Sequence, residues 1–181
     1  FHYSAFVLPL LTFFGSRPLT LRGRLVIGAI PLLGYLLFFG GFDPIASLPI
    51  PWIQEKLWIY ERLRDSGMAG DAINVFNIVY VMRLLVFYLL LWKYDIIKEQ
   101  APNLSLLLKV FAISYFCFTA LGALPVMAFR YAELFGVVEI VMVPYLALTM
   151  KPEAFGKSLV IVFAVGCRML NVFYNELLKL S

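Results

Sequence analysis

Long apolar runs without a charge decide what this chain can fold into. From Leu25 to Phe42 there is no acidic or basic residue, and runs of similar character recur to the C-terminus. The apolar residues are continuous rather than alternating, which is the pattern of a helix facing lipid and not of a half-buried strand. Inside a bilayer a helix satisfies its own backbone polar groups and needs about 20 residues to cross. Composition agrees. The chain is 62% hydrophobic and 14% charged, whereas soluble domains sit near roughly 45–50% and 25%. Its mean hydropathy is +0.89. The expected fold class is an all-α integral membrane protein: one transmembrane domain over residues 1–181, a polytopic bundle of about six transmembrane helices.

The spans follow from the breaks between them. The first is Phe1–Phe14, ended by Gly15-Ser16-Arg17-Pro18. The second is Leu25–Phe42, with Pro31 and Gly34 inside, both tolerated in membrane helices. Residues 43–72 form the one long polar stretch. The third span is Ile73–Tyr94, the fourth Leu104–Leu124, with Pro125 as a tight turn. The fifth is Ala128–Thr149, broken off by Lys151-Pro152-Glu153, and the sixth is Ser158–Leu180. The chain opens directly on apolar Phe1-His2-Tyr3, with no basic leader or cleavage site before it. The first span therefore reads as the remainder of a helix, and the sequence as the C-terminal portion of a larger protein.

Lysine and arginine set the orientation. Arg17, Arg22, Arg24, Lys93, Lys98, Lys109, Lys151 and Lys157 fall on one side of the alternating spans. Lys56, Arg62, Arg64, Arg130 and Lys179 fall on the other. The richer side is expected to be cytoplasmic. The 43–72 loop, the 125–130 turn and the C-terminus then lie outside, and the expected location is the inner (plasma) membrane of a bacterium, crossed several times. The net charge of +4 does not point to nucleic acid, because the cations sit between apolar segments. Cys117 and Cys167 both lie within apolar runs and read as small packing residues, with no disulfide framework or metal spacing. His2 is the single histidine, which argues against a multi-histidine metal site. No metal or cofactor is expected.

The outer loop has order of its own. Ile53, Leu57, Tyr60 and Leu63 recur near helical spacing, while Gln54, Glu55, Glu61, Arg62 and Asp65 fill the opposite face. Pro51 suits a first helical turn. The expectation is an amphipathic helix on the outer membrane surface, held by Trp52 and Trp58. It serves either as an interfacial anchor or as a flap over a groove.

Charges within spans are costly and seldom face lipid. Arg83, Glu139 and Arg168 sit near the middles of the third, fifth and sixth spans. One reading is structural: Glu139 pairs with Arg83 or Arg168 and locks helices together. The other is functional: a water-filled cavity lined by cations, in which two arginines against one glutamate favour an anionic ligand. Arg130 and Glu133 lie three apart, on one helical face, at the outer end of the fifth span. An arginine at a helix N-terminus opposes the dipole, so Glu133 or a ligand would compensate it. His2 sits at the outer end of the first span, where an interfacial structural role is the plainer alternative to catalysis. There is no phosphate-binding glycine loop, nucleophile elbow or zinc motif.

Three short motifs carry a family resemblance. His2-Tyr3-Ser4-Ala5 resembles the His-x-Ser/Thr-Ala signature of EpsG-type polysaccharide polymerases. The stretch Phe129-Arg130-Tyr131-Ala132-Glu133-Leu134-Phe135, continuing to Pro144, resembles their arginine-, aromatic- and proline-bearing late helix. Lys56-Leu57 with Tyr60 is similar to their Lys-Leu-x-x-Tyr stretch. The likeness covers most of this chain and the C-terminal half of the family. It carries over His2 and Arg130; Glu133 and Glu139 have no counterpart in the pattern.

The family is similar in role to Wzy O-antigen polymerases. The resemblance implies a membrane glycosyltransferase of capsule, exopolysaccharide or O-antigen synthesis. On the outer face of the membrane, a growing glycan on undecaprenyl diphosphate would pass to the next lipid-linked repeat. Partners implied are that lipid-linked glycan, membrane lipids and a chain-length regulator. A departing diphosphate gathers negative charge that guanidinium groups stabilise, which suits Arg130 first. His2 or Glu133 would be the general base. Arg83, Glu139 and Arg168 would extend a substrate path, with Tyr60, Arg62 and Tyr131 as further sugar contacts. Alternatives of other kinds are an O-antigen ligase and a transporter or flippase component, the latter needing a cavity that opens to the cytoplasm.

Overall fold

Thr20 starts the first helix because its hydroxyl accepts from the Gly23 amide at 3.2 Å, satisfying one of the donors a helix start leaves free. In the computed structural model, residues 15–41, 73–122 and 124–180 are described, with positions 51, 54, 55, 57–59, 62 and 66 of the loop between; on the last helix, side chains are described from 154 to 166 and at 169. The elements are α1 (Leu21–Phe39), α2 (Ile78–Trp92), a short α3 (Tyr94–Ile97), α4 (Leu104–Ala120), α5 (Pro125–Gly136), a short α6 (Glu139–Met142), a 3-10 segment (Val143–Thr149) and α7 (Glu153–Leu180). Among the described residues there is no strand. The first expected span, with His2, lies outside the described residues, as do Tyr60 and the side chain of Arg168.

The helices run up and down between two chemically distinct ends. At one end the Tyr94 hydroxyl accepts from the Leu19 amide at 2.9 Å. Ser105 Oγ donates to the Ser16 carbonyl at 2.8 Å, and Lys109 Nζ donates to the Gly15 carbonyl at 2.6 Å. Asp95 bridges Arg24 and Lys98, each at 2.8 Å. The α3 helix also touches the 3-10 segment, which brings the 151–157 turn to this end. The cation-rich set read from the sequence is thus gathered at one end. At the other end the Ile73 amide donates to the Gly122 carbonyl at 3.1 Å, so the starts of α2 and α5 meet the ends of α1 and α4.

Packing between α1 and α4 depends on small residues. Gly28, Pro31 and Gly34 form the buried stripe of α1. A Cβ on Gly34 would overlap Thr119 Oγ1 and stand 3.2 Å from the Phe116 carbonyl oxygen, so the two backbones approach too closely for any larger residue. Pro31 withholds the amide that the Ile27 carbonyl would accept and crowds that turn. Tyr88 on α2 supports it by donating to the adjacent Gly28 carbonyl at 2.8 Å. Tyr35 ties the third layer: its hydroxyl donates to the Val75 carbonyl and shares a hydrogen bond with Tyr115, both at 3.0 Å. Outward, α1 presents Leu25 and Leu36, both more than two-thirds exposed. Apolar side chains therefore face away from the bundle as well as into it.

Helix lengths differ from the spans drawn on the sequence. Among the described residues, α1 alone is long and apolar enough to cross a membrane by itself. The third expected span starts later, at Ile78, because Asn77 caps it by accepting from the Val79 amide at 2.9 Å. At 15 residues α2 is about 22 Å long, short of a hydrocarbon core of about 30 Å. The fifth expected span is not one helix. It is α5 followed by the stretch Glu139–Thr149, bent by 41° at the break, and only the pair together has the length and apolarity of a span. The β-branched run around the break and Pro144, which cannot donate to the Ile140 carbonyl, explain the interruption. In the outer loop, the described residues Pro51, Gln54, Glu55, Leu57–Ile59 and Arg62 have helical backbone. Leu57 is buried and Trp58 and Ile59 are exposed, which agrees with the amphipathic segment read there.

Candidate functional site

The arginine that the sequence places mid-span lies inside the bundle, on α2. Its guanidinium is held on several sides. Nε meets Glu139 Oε2 at 2.6 Å in an ion pair. Cζ lies 4.9 Å from the Tyr80 ring centre and 5.7 Å from that of Phe111, distances at which a ring face attracts a cation. Tyr80 is itself fixed by stacking on Phe118, with ring centres 3.4 Å apart and planes within 4°. Glu139 comes from the start of α6, just past the break that ends α5. Both charged side chains are mostly buried, at 15% and 21% exposure.

Beside this pair is a cavity of about 640 Å³. Arg83 and Val79 line it from α2, Glu133 and Gly136 from α5, Glu139, Ile140 and Pro144 from the bent segment, and Val160, Phe163 and Ala164 from α7. Its walls are apolar except at the three charged groups. The α7 wall is held by close backbone approach: a Cβ on Gly156 would stand 2.8 Å from the Ala147 carbonyl oxygen of the 3-10 segment. Apolar walls with a few converging polar groups are the usual form of a small-molecule site. The bend that opens this one is also where broken membrane helices carry binding groups.

The sequence-expected residues are distributed as follows. Arg83 and Glu139 come together, so of the two partners open to Glu139 the described structure shows Arg83. Glu133 lines the same cavity and is solvent-exposed. Arg130 is exposed, one turn before Glu133 on α5, and does not line the cavity; among the described residues no ion pair joins the two. Tyr131 is half-buried on α5, outside the lining. Arg62 lies in the loop with its guanidinium 3.7 Å from the Trp58 ring centre. Arg168 follows Ala164 by four residues. The expected excess of cations is not what the described lining carries: it has one arginine and two glutamates.

Two residues that sequence reasoning missed shape the site. Ser114 on α4 donates to the Ala132 carbonyl at 2.6 Å and clamps α5 against α4. Gly136, the last residue of α5, lies against the Arg83 guanidinium. Neither carries a local sequence signal, since each matters only through its neighbour on another helix.

The model of the EpsG family matches residues 1–179, nearly the whole chain. Neither a curated protein nor a solved structure matches it.

Proposed function

The chain belongs to the EpsG family of membrane proteins in exopolysaccharide biosynthesis, and from that premise we propose that it polymerises glycan repeats carried on undecaprenyl diphosphate. The reaction runs at the outer face of a bacterial inner membrane, within a polytopic bundle of about six spans. The observation that carries this reading is the order of charge along α5 and beside it. Arg130 stands nearest the N-terminal end of α5, Glu133 one turn further on at the cavity, and the Arg83–Glu139 pair beside Gly136 at its C-terminal end. At 1.5 Å per residue, Arg130 and Gly136 are about 9 Å apart along the axis.

That order suits transfer of a sugar from a diphosphate. A hydroxyl of the acceptor repeat attacks the anomeric carbon of the donor glycan. The new glycosidic bond forms as the bond to the diphosphate oxygen breaks, and the electron pair leaves with the diphosphate. Arg130, an exposed guanidinium without an ion-pair partner among the described residues, meets that growing negative charge. Glu133 takes the hydroxyl proton, with His2 as the alternative base. Arg83, held by the rings of Tyr80 and Phe111, and its partner Glu139 bind sugar hydroxyls at the floor. Arg168, Tyr131, Tyr60 and Arg62 complete the path for the glycan.

A second reading has an observation of its own. The bent α5–α6 segment beside a charged cavity is also the form taken by transporter sites, so a flippase component is the rival. A single experiment separates them. Arg130→Ala, Arg130→Lys and Glu133→Gln are expressed in cells, checked for normal membrane accumulation, and the polysaccharide is run on gels beside its lipid-linked intermediates. Polymerisation predicts loss of the ladder by about a hundredfold or more, with single repeats accumulating on lipid at the outer leaflet and no rescue by lysine. Repeats trapped in the cytoplasmic leaflet would identify a flippase. Long chains stranded on lipid would identify a ligase. An unchanged ladder would remove Arg130 and Glu133 from the chemistry.

A further inference from the structure

Gly136 is where α5 comes nearest to the Arg83 guanidinium. A Cβ built on it would stand 2.5 Å from Arg83 Nη2, 3.2 Å from Ser114 Oγ and 3.7 Å from Arg83 Cζ. Elsewhere the rings of Tyr80 and Phe111 stand close to the guanidinium and Glu139 pairs with Nε, which leaves the cavity as the direction in which it can move. Ser114 cannot give way easily, because it is buried and spends its hydroxyl on the Ala132 carbonyl. Nη2 can therefore occupy this position only because residue 136 has no side chain; a methyl group there would push it toward the cavity. Gly136 has ordinary helical backbone and no positive φ, so conformational freedom does not explain a glycine here. Glycine in a helix is otherwise the poorer choice beside alanine.

We propose that Gly136 is a positioning residue: it sets where the Arg83 guanidinium lies, and with it the floor of the cavity that binds sugar. The inference rests on the polymerase reading of that cavity. Ordinary van der Waals contact begins at 3.4 Å, so a methyl group at 136 drives Nη2 back by about 1 Å. A misplacement of that size in a preorganised site costs up to about a hundredfold in rate. Lysine at 83 has no Nη2 atom. The nearest atom of the arginine that a lysine roughly matches is Cζ, already at an ordinary 3.7 Å.

The test is a cycle of Gly136→Ala and Arg83→Lys, singly and together, in the intact chain. Two readouts are taken: the thermal midpoint of protein purified in detergent, and polymer made per molecule of protein in the membrane. Gly136→Ala alone should lower the midpoint and cut polymer at least about tenfold. In the lysine background the same alanine should cost clearly less in both readouts, leaving only its contact with Ser114 at 3.2 Å, which alanine's better helix propensity partly offsets. That relief by lysine is what a mere packing glycine would not give. Equal loss of midpoint in both backgrounds overturns the inference and assigns Gly136 to packing on Ser114. Should Gly136→Ala fail to accumulate, restoration by Arg83→Lys supports the inference and lack of restoration overturns it. A midpoint loss relieved by lysine, with polymer unchanged in every variant, upholds the positioning and overturns the polymerase reading of the cavity.

Discussion

Removing one member of the Arg83–Glu139 pair should harm the fold more than removing both. The charges meet at 2.6 Å with 15% and 21% of their side chains exposed. At that distance and an effective dielectric of about 20, two unit charges attract by about 6 kcal/mol. Desolvating each ion costs several kcal/mol, so the intact pair sits near balance. Arg83→Met leaves the Glu139 carboxylate without its partner. A fully buried orphan of this kind costs about 3–5 kcal/mol, and the exposure of about a fifth points to the lower end, about 3 kcal/mol. For a chain of this size that corresponds to roughly 6–12 °C in thermal midpoint. Glu139→Leu should do comparable harm by stranding the guanidinium. The double variant Arg83→Met/Glu139→Leu should recover to within about 1 kcal/mol of wild type, since no charge is left in the apolar wall. The assay is unfolding of the purified protein in one detergent, followed by helical signal, for all four members of the cycle. Additive losses, with the double variant the least stable, would refute the pairing. A recovered double variant that makes no polymer would separate the pair's structural role from its part in the site.

Three further outcomes follow from other parts of the bundle. Gly34→Leu should destabilise the bundle, because the new side chain meets Thr119 and the Phe116 backbone on α4; overpacking of this kind costs about 1–3 kcal/mol or more, read as a lower thermal midpoint, while Gly15→Ala, with open space around it, should be silent in the same assay. Tyr88→Phe removes the hydrogen bond to the Gly28 carbonyl and should cost about 1 kcal/mol, seen as a shift of a few degrees without loss of polymer. The Asp95 carboxyl is held below its ordinary 3.8 by Lys98 first and then Arg24. A lowered pKa stabilises above the unfolded value and is lost as pH falls through the folded one. Its partner Lys98 is held above its ordinary 10.5 by Asp95, so its share is present below that value and lost as pH rises beyond it. The clasp should therefore be silent across the neutral range. Asp95→Asn should flatten the fall of midpoint below about pH 4 and leave it unchanged near pH 7 apart from a constant offset, which high salt should shrink.

Much of this architecture could be read from hydropathy and charge, for reasons that residues make plain. The cationic end was readable because Arg17, Arg24 and Lys98 fall where the chain enters or leaves an apolar run and Lys109 lies within two turns of one, and the Lys109 hydrogen bond and the Arg24–Asp95 bridge gather this end. The Arg83–Glu139 pair was readable as one of two options because both residues sit near the middle of their runs, where a lone charge is costly. The bend after Gly136 was not readable. A hydropathy window averages across Gly136, a β-branched run and Pro144, all of them apolar, and returns one span. The cap at Asn77 was missed for the same reason, since Ile73, Val75 and Phe76 keep the window apolar. Gly136 and Ser114 were out of reach in a different way: what they do depends on α2 and α4 passing beside α5, and no spacing along α5 records that.

The charge balance of the cavity also redistributes the work within the proposed mechanism. Reading the spans alone, two arginines outnumbered one glutamate, and the surplus favoured an anionic ligand in the cavity, with Arg130 as the first candidate for the diphosphate. In the described lining the ratio is reversed, with Arg83 against two carboxylates, Glu133 and Glu139. A dianionic group placed there would face two carboxylates at short range, an arrangement that repels it. A neutral sugar does not suffer this penalty, and carboxylates are good acceptors for its hydroxyls. The polymerase reading is therefore self-consistent only if phosphate and sugar occupy different levels of α5: diphosphate at Arg130, the reacting hydroxyl at Glu133, the rest of the acceptor sugar over Arg83 and Glu139. This division makes opposite demands on two substitutions. Glu133→Gln should weaken turnover while leaving binding of the lipid diphosphate intact, and Arg130→Ala should weaken that binding itself, measured with undecaprenyl diphosphate in detergent. If Glu133→Gln instead tightens diphosphate binding by about tenfold or more, the anion lies in the cavity after all, and the separation of levels on α5 is wrong.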